Sequence, residues 1–108
     1  SMANIFKNAG IEVLAARTTL YTCPVASTAV IHALYLSNVD GTSPVDADIE
    51  ITIDGGTTYR YIGKTLAIPE DSTLILDKPI NLESGDILAI TASVANHLEA
   101  VAAILEIS

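Results

Sequence analysis

Three side chains have the chemistry of soft metal ligands, or of a nucleophile and its base: Cys23, His32 and His97. Both kinds of site need groups that converge, and short motif spacing is their usual sign in a sequence. These three residues lie far apart and share no such spacing. Cys23 directly precedes Pro24, and no neighbouring cation would lower the pKa of its thiol. We therefore predict no metal, no cofactor and no cysteine catalysis, and we interpret His32 as a core or interface residue.

Paired carboxylates are the second candidate chemistry, because opposed carboxylates in a cleft hydrolyse glycosides. Glu70 with Asp71, and Glu83 with Asp86, both fall in predicted turns. Acidic residues are expected in turns for solubility and local hydrogen bonds. We predict that the protein is not an enzyme. Weak calcium binding by the acidic stretch 46–54 stays open, although its spacing is not that of a calcium loop.

Two tyrosines form a candidate ligand surface. Tyr59 and Tyr61 share one face of a predicted strand, and Arg60 lies on the other face. Exposed tyrosines on a sheet can stack on sugars. The alternative is ordinary packing against side chains of the neighbouring strand.

A predicted hairpin must position these tyrosines, and it starts with residues 48–54. Isoleucine alternates there with polar residues, so one strand face is apolar and the other is polar. The apolar positions are Ile49, Ile51 and Ile53. Gly55 and Gly56 supply the permissive backbone of a tight turn, and residues 57–62 return as a second strand.

Turn signals recur at similar intervals along the rest of the chain. This pattern predicts an all-β fold, a single antiparallel β-sandwich of about eight strands, either jelly-roll or immunoglobulin-like. Alanine-rich residues 98–107 could form a helix on propensity, but they follow a strand and a short turn, so we predict a strand. We expect a sandwich domain at residues 17–108. Residues 1–16 would be an N-terminal arm or edge strand, with Ser1 a remnant of tag removal.

The charge of the chain argues against two classes of partner. Thirteen acidic residues outweigh five basic ones, and the net charge is −8. Nucleic acids and anionic membranes both attract clustered lysine and arginine, so we expect neither as a partner. No apolar run approaches the ~20 residues of a membrane-spanning helix. The single cysteine, Cys23, excludes an intrachain disulfide.

Two predicted strands, residues 28–37 and the last strand, carry apolar residues on both faces. A sandwich strand in a monomer needs only one apolar face. Another copy of the chain is the simplest cover for the second face, since most soluble oligomers are symmetric homo-oligomers. The alternative is that these strands lie centrally in one subunit, beneath residues 3–16. The predicted oligomer interface consists of Ile31, Tyr35, Val101, Ala103, Leu105 and Ile107.

Five stretches share a pattern of strand and turn residues: 20–24, 27–31, 36–38, 68–74 and 82–88. The first reads Leu-Tyr-Thr-Cys-Pro, and the last reads Leu-Glu-Ser-Gly-Asp-Ile-Leu. Together the five resemble small β-sandwich structural proteins of tailed bacteriophages, including those of marine cyanophages. The resemblance covers nearly the whole chain after the N-terminal segment.

The resemblance implies a virion protein, either a capsid decoration or stabilising protein or a tail component, and usually a trimer. Its partners would be further copies of itself and a major capsid or tail protein. It would be made in the host cytoplasm and reside at the capsid surface or tail. We also predict a particle-binding arm that uses Ile5, Phe6, Ile11 and Val13. The alternative function is a carbohydrate-binding or tail-fibre-type recognition module that uses the two hairpin tyrosines.

Overall fold

The computed structural model describes residues 3–108, which form nine β-strands and no helix, so this part contains no membrane-spanning helix. The predicted strand at residues 98–107 is confirmed, and Ser1 lies outside the described residues. The strands are β1 (Asn4–Val13), β2 (Thr18–Thr22), β3 (Thr28–Asn38), β4 (Val45–Thr52), β5 (Arg60–Ile68), β6 (Ser72–Leu76), β7 (Ile80–Leu82), β8 (Ile87–Ala92) and β9 (Leu98–Ile107).

The strands form two antiparallel sheets. The five-stranded sheet has the order β1-β9-β3-β6, with β7 also paired to β3, and the four-stranded sheet has the order β2-β8-β4-β5. The first strand therefore pairs with the last, the second with the penultimate, and the remaining strands pair inside them. This nested pairing is that of a jelly roll. The predicted antiparallel sandwich is confirmed, with nine strands because β6 and β7 share one position beside β3.

The core lies between the two sheets. Alternate residues of the central strands point inward, as the period of two along a strand requires. Both sheets contribute branched aliphatic side chains to the core. Among the described residues, Tyr21 is the one aromatic side chain in it. The largest fully buried side chains are Val13, Ile31, Leu34, Leu36, Val45, Ile49, Ile68, Leu82, Leu88, Ile90, Leu98 and Ile104.

A β-bulge in β3 corrects the predicted faces of that strand. The pairing of β3 with β9 shifts between Ile31 and Ala33, so His32 and Ala33 together oppose Ala103. Such an extra residue reverses the side-chain alternation beyond it. Ile31 before the bulge and Leu34 after it therefore both point into the core, although strict alternation predicts opposite faces.

The predicted hairpin differs from the structure in its turn and in its third isoleucine. β4 ends at Thr52, residues 53–59 form a loop, and β5 begins only at Arg60. Gly55 and Gly56 have φ values of 73° and 96°, as the predicted permissive backbone requires. Ile53 lies in the loop and is 74% exposed, so the apolar face ends at Ile51, two residues earlier than predicted.

β1 is an edge strand of the five-stranded sheet. It pairs with β9 along its whole length, from Asn4 opposite Ile107 to Val13 opposite Leu98. The chain then crosses to β2 through residues 14–17. The Thr18 hydroxyl shapes this crossing, because it accepts a hydrogen bond from the Leu14 amide at 3.0 Å and donates one to the Ala16 carbonyl at 2.8 Å. The division predicted after residue 16 falls in this connection.

Candidate interaction surface

The outer face of the five-stranded sheet is lined by apolar side chains from four adjacent strands. Residues that lie directly opposite each other in an antiparallel pair point to the same face. Phe6 opposes Leu105, and Tyr35 opposes both Val101 and Ile75. We call this surface the apolar face. Its members are Phe6, Val30, Ala33, Tyr35, Ile75, Val101, Ala103, Leu105 and Ile107.

The apolar face is open to solvent in the single chain. Phe6 is 76% exposed, Ile75 53% and Val101 42%. Its charged residues lie at one end, where Glu12 of β1 directly opposes Glu99 of β9. Isolated exposed apolar residues are normal, but a contiguous exposed patch indicates an interaction site.

The β3 bulge adds a polar ring to this face. His32 projects outward, and its ring stacks on Phe6 with centroids 5.9 Å apart and planes 25° apart. Phe6, His32, Asn8 and Ala103 all line a shallow depression beside this stack. His32, interpreted from the sequence as a core or interface residue, lies outside the core and on the candidate interface.

The structure places one residue of the predicted oligomer interface in the core and the other five on the apolar face. Ile31 has 1% of its surface exposed and lies in the core, so it cannot contact another copy. The bulge after Ile31 reverses the side-chain alternation, so Ile31 and Tyr35 point to opposite faces of the sheet. The other predicted residues all lie on the apolar face, where their role in an interface stays a prediction. They are Tyr35, Val101, Ala103, Leu105 and Ile107.

The residues predicted to form a particle-binding arm are also divided. Ile5 and Phe6 are half or more exposed, whereas Ile11 packs against the core and Val13 is fully buried. The alternation along β1 explains this division, since the odd-numbered residues of its C-terminal half face the second sheet. Ile5 and Phe6 are thus the ones that a partner could reach.

Sequence reasoning missed Ile75 as a member of the surface. The two faces of β6 were not assigned from the sequence. The signal was present in the alternation, because Leu74 and Leu76 pack against the core while Ile75 is exposed between them. Only the pairing of Ile75 with Tyr35 shows that the exposed side continues the apolar face.

The outer face of the four-stranded sheet is polar. We call it the polar face, and its members are Arg17, Asp46, Asp48, Glu50, Thr52 and Thr91. Arg17 donates two hydrogen bonds to Glu50, from Nε at 3.2 Å and from Nη2 at 3.1 Å. These bonds raise the pKa of the Arg17 guanidinium above its ordinary value. Asp48 accepts a bond from the Thr65 amide at 2.7 Å. Arg17, Glu50 and Asp48 therefore all find polar partners within the chain.

The two tyrosines of the candidate ligand surface lie beside this ion pair. The guanidinium carbon of Arg17 stands 3.7 Å above the ring of Tyr59, so one side of that ring is covered. Tyr61 is 53% exposed, and the Lys64 ammonium lies 5.6 Å from its ring centroid. A sugar could stack on the side of Tyr61 away from Lys64 but not on the covered side of Tyr59. Carbohydrate binding stays a prediction.

A short hydrogen bond joins the two sheets at one end of the sandwich. The Tyr21 hydroxyl of β2 donates to Glu106 of β9 at 2.5 Å, and the Lys7 ammonium lies 3.3 Å from the same carboxylate. Burial and, to a smaller extent, this bond raise the pKa of the Tyr21 hydroxyl. The same bond lowers the pKa of the Glu106 carboxyl. The arrangement connects the two sheets.

The three residues considered for nucleophilic or metal chemistry do not meet. Cys23 is buried, its thiol points to the Ser27 carbonyl at 3.4 Å, and burial raises its pKa. The Nε2 atom of His97, which directly precedes β9, lies 3.6 Å from Oδ1 of Asp40. His32 is on the apolar face. Among residues 3–108, no group of three or more His, Cys, Asp or Glu side chains converges.

Comparisons with known proteins give likenesses of fold. No family model matches the sequence, and a search of curated proteins finds no match either. A chain from the disulfide-linked pili of Bacillus endospore appendages superposes with a TM-score of 0.56 at 14% identity, over 99% of this chain and 87% of that one. A chain of the T13 particle of IBDV, infectious bursal disease virus, gives 0.58 at 12% identity, over 96% and 30%.

A pentameric capsid protein from metagenomic phage sequences gives a TM-score of 0.49 at 21% identity, over 91% of this chain. The present chain spans 59% of that protein and 30% of the IBDV chain. At such identities the likenesses show the fold alone. The jelly roll of this chain is thus a fold that chains of a viral particle and of bacterial pili also have.

Proposed function

We propose that the protein is a non-enzymatic structural protein of a virion, which associates with other copies of itself through the apolar face. The observation that carries the proposal is the open apolar face on an otherwise acidic jelly roll. Burial of apolar surface is the main driving force of association, at ~25 cal/mol per Å². A net charge of −8 keeps the single chain soluble while the face is uncovered.

The size of the apolar face suits a specific interface. Four adjacent strands spaced ~4.8 Å apart, with ten residues rising ~3.3 Å each, span about 20 Å by 30 Å. A typical specific interface buries roughly 800 Å² on each partner, and roughly 600 Å² of flat sheet approaches that value. The face therefore provides most of an ordinary protein–protein interface without any rearrangement of the chain.

The finer assignment is a capsid decoration or stabilising protein. The fold shared with a viral particle chain and the resemblance to small tailed-phage proteins, including those of cyanophages, support this assignment. The protein would form a homotrimer and bind a major capsid or tail protein at the capsid surface or tail. The exposed Ile5 and Phe6 of β1 would take part in that contact.

Absolute mass in solution tests the proposal. Light scattering on a sizing column should give a stable oligomer for the wild type and a much smaller mass for Val101→Glu, which places a charge in the centre of the apolar face. Thr19→Glu is the matched control, because Thr19 is an exposed strand residue of the other sheet. It should keep the wild-type mass. A wild type that is monomeric at millimolar concentration would contradict the proposal.

Particle binding tests the finer assignment. The wild type should co-sediment with capsids of tailed phages in a sucrose gradient, and the double variant Ile5→Ser/Phe6→Ser should bind less. Both side chains are exposed, so circular dichroism should show an unchanged fold. Equal binding by the double variant would remove β1 from the contact.

A further inference from the structure

The jelly roll has two sheets and therefore four edges, and three of these edges are interrupted. β2 is five residues long and carries a register shift. β5 carries two register shifts, and Thr65 within it has a φ of 53°. The edge formed by β6 and β7 is broken by residues 77–79, which include Pro79. Short strands, bulges, prolines and charged side chains are means by which proteins prevent strand addition at an edge.

β1 is neither short, nor bulged, nor interrupted by proline, and its charged residues are Lys7 and Glu12. It runs for ten residues without proline, and its pairing with β9 contains no register shift. No strand within residues 3–108 pairs with its outer side. A long, regular edge of this kind presents a row of unpaired backbone groups to which another strand can add.

The hydrogen bonds at the start of β1 show which residues face the free edge. Ala3 and Ser108 exchange both backbone bonds, at 2.8 Å and 3.0 Å, so this is a hydrogen-bonded pair. Such pairs alternate along an antiparallel ladder. The odd-numbered residues of β1 therefore bond to β9, and the even-numbered residues point their N–H and C=O groups outward. The outward set is Asn4, Phe6, Asn8, Gly10 and Glu12.

We infer that β1 pairs antiparallel with β1 of a second copy, about a two-fold axis at Asn8. The inference rests on the proposed self-association and adds a second contact between copies to that of the apolar face. Because only the even-numbered residues offer edge groups, an even-numbered residue must oppose an even-numbered one. This condition also keeps the core side and the outer side of the two sheets aligned, so pairing would extend the five-stranded sheet into the second copy.

The side chains select the register with Asn8 on the axis. Ile5 then opposes Ile11 of the second copy, and Phe6 opposes Gly10, which leaves room for the ring. Directly opposed side chains are the unit that stabilises a sheet pair. Shifting the axis to Lys7 would place two ammonium groups opposite each other. Shifting the axis to Glu12 would place two carboxylates opposite each other and would leave half of the strand unpaired.

The charges of β1 do not oppose this register. Lys7 is the basic residue of the strand, and its ammonium is already paired with Glu106 of its own chain at 3.3 Å. In the inferred pair, Lys7 meets Ala9 and Glu12 meets Asn4. The edge contact is also separate from the apolar face, since it extends the sheet sideways and leaves its outer surface open.

Site-specific cross-linking tests the inferred pair in the full chain. Asn8→Cys should cross-link to a dimer with a short bis-maleimide, whereas Asn4→Cys should not, because the two positions 4 would lie eight residues apart along the strand pair, roughly 26 Å. The native Cys23 is buried with 1% exposure, so the wild type serves as the background. No cross-link at position 8 would overturn the inference, as would an equal yield at position 4.

A proline variant provides the second measurement. Asn8→Pro removes an outward N–H without touching the ladder to β9, so the fold should persist while the dimer dissociation constant rises at least tenfold. Ala9→Pro removes a bond to β9 and should instead lower the melting temperature. An oligomer unaffected by Asn8→Pro and without the position 8 cross-link would overturn the edge pairing and leave association through the apolar face intact. A wild type that is always monomeric would overturn both.

Discussion

The two outer faces of this jelly roll are built from the same strand geometry but use their side chains differently. On the polar face, Arg17 covers Tyr59 and bonds to Glu50, which is 7% exposed although it points away from the core. On the apolar face, Val101 and Ile75 point to solvent and have no polar group to satisfy. Charged groups of the polar face are therefore bonded within the chain, whereas the apolar face is the one that we propose a partner covers. Substitutions on the polar face should change stability, and those on the apolar face should change association.

The hydroxyl of Tyr21 should give the largest change in stability. Tyr21→Phe removes the bond to Glu106 that joins the two sheets and should lower the free energy of unfolding by about 2 kcal/mol, as for a bond to a charged group. Tyr35→Phe is the matched control, because Tyr35 lies on the apolar face and is 39% exposed. It should cost less than about 0.5 kcal/mol. Urea denaturation measures both, and equal losses would contradict the distinction between the faces.

Glu50 should give the next largest effect. Glu50→Ala removes the partner of Arg17 and should lower the free energy of unfolding by about 1 kcal/mol, a value kept small because Arg17 is half exposed. The mass in solution should not change. Glu70→Ala, at an exposed turn residue outside both faces, is the control and should leave stability unaltered. A change of mass in Glu50→Ala would mean that the polar face also takes part in association.

Acid should weaken the fold through carboxylates outside the apolar face. Hydrogen bonds lower the pKa of Glu106 (from Tyr21), Asp40 (from the Thr42 amide) and Asp54 (from the Thr58 amide). A carboxylate with a lowered folded-state pKa contributes stability above its unfolded pKa, near 4, and loses it as pH falls through the folded value. The melting temperature should therefore fall below roughly pH 4.5. Glu106→Gln should reduce this dependence, and a melting temperature that rises in acid would contradict it.

Salt should give the smallest effect and should act in opposite directions on the two faces. Each copy carries a net charge of −8, so added salt screens the repulsion between copies and should strengthen association a few-fold. The same salt should slightly weaken the Arg17–Glu50 pair. Mass measurements at low and high ionic strength check the first effect, and association that weakens with salt would indicate a charged interface instead.

Part of the apolar face could be predicted from the sequence. The alternation in β9 places Val101, Ala103, Leu105 and Ile107 on one face, and the structure keeps them together. Alternation is a local property, since successive side chains of a regular strand must point to opposite sides. The same reasoning failed for Ile31 in β3, because a single extra residue at the bulge reverses the faces and leaves no clear mark in the sequence.

The sequence by itself determined the all-β composition, the turns, the acidic charge and the strand character of the last segment. Each of these follows from residue types and spacing within a few positions of one another. Tertiary structure alone decided the strand order, the bulge at His32, the ion pair of Arg17 with Glu50 and the free edge of β1. These features depend on which distant strands pair and in which register, and that choice is made by the packing of the whole core.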